Sequence, residues 1–114
     1  MRAFCAAVVF AAGCATISAA GTYEAVLPAA SGGGERHIRV NLHPDGTAAV
    51  TSAFSDRPSR FLAEGLWAQE GSQITVRLSS ERMVFHRAGD QLIAKEWDRA
   101  AWGEAGPGVL YRLR

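Results

Sequence analysis

The sequence predicts an all-β domain, a small antiparallel up-and-down barrel of about eight strands joined as a meander. Three observations predict it. Beyond position 20, apolar and polar residues alternate in runs of strand length; Gly, Pro, Asp and Ser interrupt those runs about every ten residues; and no stretch of useful length carries the helical period.

The first run, Thr22 to Leu27, places Tyr23, Ala25 and Leu27 on one face and Glu24 on the other as an outward charge. The second, Arg36 to His43, turns Ile38, Val40 and Leu42 inward and His37, Arg39, Asn41 and His43 to water. Pro44-Asp45-Gly46 makes the tight turn that follows, because Pro presets φ early in a turn and Gly accepts positive φ later in it. The return strand, Thr47 to Phe54, aligns Ala48, Val50, Ser52 and Phe54. After the polar loop 55–59, Phe61 to Gln69 aligns Phe61, Ala63, Gly65 and Trp67, with Gly65 expected to leave room beside the indole or to ease a bend.

Glu70-Gly71 turns the chain into Gln73 to Leu78, whose inward row is Ile74, Val76 and Leu78. Two further strands follow, Arg82 to Arg87 with Met83 and Phe85 inward, and Gln91 to Glu96 with Leu92 and Ala94 inward. Trp97 to Gly108 is the one long irregular segment. The last strand, Val109 to Leu113, is expected to turn Val109, Tyr111 and Leu113 inward. Closing the first strand on the last would remove both exposed edges; the same strands could instead form an open two-sheet sandwich.

The chain has 114 residues, 12 Lys+Arg against 11 Asp+Glu and a formal net charge of +1, which bounds it to one small core and gives no electrostatic bias toward nucleic acid. Residues 1–20 differ in character from the rest. A basic start and a short apolar run have the plan of a secretory leader, too short to span a bilayer. Two processing sites compete within it. Ala11-Ala12-Gly13-Cys14 is similar to a bacterial lipobox, in which Cys14 would be lipidated and become the mature N-terminus, whereas Ser18-Ala19-Ala20 is a small-residue cleavage site ahead of Gly21. Both place the product in the cell envelope or outside it. The two cysteines, Cys5 and Cys14, lie in this leader, so the domain 21–114 holds together without a disulfide.

Catalytic and metal chemistry is not legible in the barrel. His37 and His43 share a strand face but stand six positions apart, roughly 20 Å at strand rise, too far to ligate one ion. His86 has the opposite parity to Met83, which argues against a copper site there. The carboxylates gather at turns, and Arg36, Arg39, Arg77, Arg82, Arg87 and Arg112 are expected on a solvated outer face with Glu64 and Glu96 as cross-strand partners. Trp97 and Trp102 are the weak candidates for a binding surface; their alternative role is to cap an open barrel end with each indole N–H satisfied.

Several segments together carry a resemblance. Tyr23-Glu24-Ala25-Val26-Leu27-Pro28, Asp45-Gly46-Thr47, Gly65-Leu66-Trp67, Ile74-Thr75-Val76, Leu92 and Tyr111-Arg112-Leu113, in this order, resemble the N-terminal domain of the copper-resistance lipoprotein NlpE family, a lipocalin-like envelope barrel. The family's Cys-x-x-Cys pair after the proline, suited to soft metals, is replaced here by Ala29 and Gly32, so its thiolate copper chemistry does not transfer. The resemblance implies a non-enzymatic envelope protein held at the membrane by an N-terminal lipid, without cofactor, acting in binding or stress sensing. Two alternatives keep the same fold: a carrier of a small apolar ligand, and a periplasmic barrel that docks on another protein.

Overall fold

In a computed structural model, which describes residues 17–28, 34–56, 58 and 60–113, the chain forms a closed antiparallel barrel in which every strand pairs with its sequence neighbour. The strands are β1 (Gly21–Pro28), β2 (Glu35–Leu42), β3 (Thr47–Phe54), β4 (Arg60–Glu70), β5 (Gln73–Leu78), β6 (Arg82–Ala88), β7 (Gln91–Glu96) and β8 (Val109–Arg112). β1 pairs with β8 through Tyr23–Arg112 and Glu24–Tyr111, and this short seam removes the last open edge. The sheet closes as a barrel rather than stacking as a sandwich.

The period-two pattern sets the interior. Tyr23, Val40, Val50, Ile74, Val76, Met83, Leu92 and Leu110 are all at 0% exposure, with Ile38, Leu42 and Phe85 at 1%. No water-sized space touches the eight fully covered side chains, so the middle of the barrel is filled in the manner of a small eight-stranded barrel. At the β2–β3 hairpin, His43 N–H donates to the Thr47 carbonyl (2.9 Å) and Gly46 N–H to the His43 carbonyl (3.0 Å), with Gly46 at φ 92°. Asp45 stabilises that turn by accepting from Thr47 N–H (2.9 Å) and Thr47 Oγ1–H (2.7 Å), which holds its carboxyl below the usual aspartate range.

Three expectations change. In β8 the inward residue is Leu110, paired with Leu92, while Tyr111 and Leu113 are exposed. The reason lies just upstream: Gly106 and Gly108 both take positive φ around a buried Pro107, and this bend delivers the strand with the opposite parity. Gly65 answers a different need from the one expected. It lies between Ala48 of β3 and Leu78 of β5, and a Cβ there would overlap the Arg77 carbonyl oxygen, so the missing side chain admits the neighbouring backbone rather than an indole. A bulge between Val84 and Phe85 buries Val84 together with Met83 and Phe85, three consecutive residues that simple alternation would divide.

The irregular segment after β7 contains one turn of helix, α1 (Arg99–Trp102). Asp98 caps it by accepting from Ala100 N–H at 3.0 Å.

Candidate functional site

The two ends of the barrel are built differently. At the end where β1 begins, residues 17–20 lie across the opening. Ala19 is fully buried, its N–H donating to Gln69 Oε1 (2.9 Å) and its carbonyl accepting from the Tyr23 hydroxyl (2.8 Å). The Ile17 carbonyl accepts from Gln69 Nε2 (3.0 Å) and Arg87 Nη1 (2.8 Å), and the Ala20 carbonyl from Arg112 Nη2. Arg112 also stacks over the Tyr23 ring, 5.8 Å from its centroid. Trp67 closes the same end, its indole N–H donating to the His43 carbonyl at 2.8 Å.

The opposite end carries a cleft of about 270 Å³ lined by Arg36, Ser52, Phe54, Arg60, Phe61, Ala101 and Trp102. β2 delivers Arg36 with the same parity as Ile38 and Val40, so its stem descends along the inner wall. Its Nε donates to Ser52 Oγ, which is almost fully buried, at 2.8 Å; Nη2 stands 3.5 Å from the Ala101 carbonyl. The guanidinium carbon lies 4.4 Å from the Trp102 ring centroid and 5.2 Å from that of Phe54. Partial burial lowers the Arg36 pKa from its ordinary value, yet a guanidinium remains charged at any physiological pH.

Trp102 is 4% exposed and covers this end. Its Nε1–H donates to Glu81 Oε1 at 3.0 Å, and its ring meets Phe61 edge-on at 6.1 Å and 83°. Trp97 is half-buried, donates to the Gly103 carbonyl (2.8 Å) and carries Arg99 over its ring. Both tryptophans therefore have satisfied indoles, and Trp102, not Trp97, lines the cleft.

Arg36 is the cleft residue whose side chain was expected to turn outward. It was expected on the solvated outer face, as were Arg87 and Arg112, but all three share the inward parity of their strands and reach the barrel ends. Strand parity alone would have found two of them, since Arg36 stands two residues before Ile38 and Arg87 two after Phe85, whereas Arg112 follows the reversed parity of β8. Other charges behave as surface pairs: Glu24 with Arg39, and Glu96 with Arg82 at 3.2 Å. His37 lies 3.6 Å from Glu35. Among the described residues no group of three or more His, Cys, Asp or Glu converges as a metal site. Cys14, Ala29 and Gly32 lie outside the described residues.

These features define a class: a small closed antiparallel β-barrel with a packed interior, one end covered by its own N-terminal stretch and the other holding an aromatic cleft. No family model matches the chain, and no curated protein matches it. Among solved structures it is similar to the Cpx pathway activator NlpE from Escherichia coli, at 24% identity and a TM-score of 0.60, over 67% of this chain and 42% of that one. The chain thus matches less than half the length of that protein, and the likeness shows an NlpE-like barrel fold.

Proposed function

We propose that this protein is an exported, non-enzymatic barrel of the bacterial cell envelope, tethered to the membrane by lipid at Cys14 and acting as a binding or envelope-stress-sensing module. The observation that carries the reading is the polarity of the barrel. The chain enters across one end, stitched there by the hydrogen bonds of residues 17–20, and the cleft opens at the other, so a tether at the N-terminus leaves the cleft facing away from the anchor. The same stitching supports processing ahead of Ile17 over cleavage after Ala20, which would remove a fully buried residue and five hydrogen bonds. The structural likeness to a Cpx pathway activator supports the envelope assignment.

A binding role is favoured over catalysis by the groups in the cleft, where the Ser52 hydroxyl is engaged by a guanidinium rather than by a base. A packed interior favours recognition at the ends or outer wall over carriage of a ligand inside. The test is fractionation of a bacterium expressing the full chain and its Cys14→Ser variant. The wild type is expected to sediment with membranes and the variant to appear in the periplasmic fraction. Cytoplasmic retention of both, or identical soluble behaviour, would refute the tethered reading.

A further inference from the structure

We infer that the open end of the barrel binds a small amphipathic monocarboxylate, with Arg36 receiving the carboxylate and the rings of Phe54, Phe61 and Trp102 enclosing the apolar part. This deepens the binding reading above and rests on it.

The first observation is the state of the Arg36 cation. It is half-buried, and among the described residues no carboxylate lies within 4.0 Å of it. A guanidinium offers five N–H donors; here Nε is used by Ser52 and Nη2 is at the limit of reach of Ala101. Among the described residues the remaining donors meet no acceptor, and they belong to a group that lines the cleft. Nearby acid does not neutralise it: Glu81 accepts from the Trp102 indole. A partly desolvated cation with donors to spare is matched by an anion that accepts in a fork, as a carboxylate does.

The second observation is what surrounds it. Phe54 and Trp102 already hold the guanidinium by their faces, and Phe61 meets Trp102 edge-on, so the cation sits in an aromatic frame. Arg60, the other charged residue of the lining, is also basic. The third is size. At about 270 Å³ the cleft falls just below the range of sites for drug-sized ligands, which points to a ligand of roughly ten non-hydrogen atoms. A larger hollow of about 640 Å³ along β4 and β5 lacks this convergence; it is a groove on the outer wall lined by exposed or half-exposed side chains such as Leu66, Glu70, Gln73 and Arg77.

Octanoate is the probe, with 1-octanol and octylammonium as its neutral and cationic isosteres, titrated into the ¹⁵N-labelled Cys14→Ser chain to avoid detergent. The Trp102 indole N–H resonance reports the cleft, and that of Trp67, at the opposite end, serves as the internal control. Octanoate is expected to shift Trp102 saturably without moving Trp67, and to bind at least tenfold more tightly than 1-octanol, with octylammonium weaker still. Arg36→Met, which keeps the stem between the rings, is expected to lose at least tenfold in octanoate affinity, and Arg36→Lys less. Equal binding of octanoate and 1-octanol, a response at Trp67 alone, or no saturable response would overturn the inference. If Arg36→Met does not fold, the comparison of the three probes on the Arg36 protein still decides it. A negative result here leaves the fractionation result standing, so failure of the ligand assignment and failure of the tethered-module reading are told apart.

Discussion

Gly65→Ala is expected to be among the most damaging single-methyl changes in this protein. Gly65 is hydrogen-bonded into the sheet between β3 and β5, and a Cβ at that position would overlap the Arg77 carbonyl oxygen while lying 2.9 Å from the Arg77 carbonyl carbon and 3.1 Å from Leu78 Cα. All three are backbone atoms and cannot rotate away. Carbon atoms in contact prefer about 3.5–4.0 Å, so β4 and β5 must part by on the order of 1 Å. Ladder bonds near 2.9 Å do not survive such a displacement. Losing about two of them at a net ~1 kcal/mol each, together with an overpacking cost of about 1–3 kcal/mol, gives a destabilisation of about 3–5 kcal/mol. For a domain of this size that lowers Tm by at least roughly 12 °C. Gly46→Ala is the control: its Cβ meets nothing within 4 Å, and only the positive φ opposes it, at about 1–2 kcal/mol. Urea and thermal unfolding of both variants measure the difference. Gly65→Ala within about 1 kcal/mol of wild type, the error on such comparisons, would show that the close approach of β5 does not explain this glycine.

Other consequences are open to measurement. Tyr23→Phe removes the hydroxyl that satisfies the buried Ala19 carbonyl; it is expected to cost about 1–3 kcal/mol in urea unfolding and to speed proteolysis within residues 17–20, and an unchanged cleavage rate would contradict the stitched end. Phe85→Ala, in the packed interior, is expected to cost about 3–5 kcal/mol, whereas a cost below about 1 kcal/mol would mean that the interior is loosely filled. The Asp45 carboxyl, lowered by its bonds to Thr47, contributes to the turn above its unfolded pKa and loses that contribution as pH falls through its lower folded value. An NMR titration following the Thr47 amide should therefore show a midpoint below the ordinary aspartate value; a midpoint at or above it refutes the hydrogen-bonded turn.

Most of the barrel was legible because one face of each strand is buried, which ties the apolar row to the core. β1, β2, β3 and β5 show this directly: Tyr23, Ile38, Val50 and Ile74 all point where alternation puts them. β8 was not legible, because Val109, Leu110, Tyr111 and Leu113 are apolar in both parities and the decision falls to the glycine bend upstream. The cleft was missed for a related reason. Trp97 and Trp102 were visible as aromatic residues in an irregular segment, and of the two only Trp102 lines the cleft, but Arg36 was grouped with the surface charges, although it continues the inward row of β2. At a barrel end the inward row leaves the packed core, and a long cationic side chain is accommodated there by rings and a hydroxyl rather than by a carboxylate. The closed end was hidden by a different rule. A small-residue run such as Ser18-Ala19-Ala20 has the pattern of a cleavage site, and nothing in its composition reveals that Ala19 is buried.

That segment is where the account is most exposed to test. Intact-mass measurement of the protein extracted from the envelope of a bacterium expressing the full chain reads the mature N-terminus directly. A chain that begins at Cys14 and carries acyl mass is the expected result, since it keeps residues 17–20 on the barrel. An unmodified chain beginning at Gly21 would contradict it.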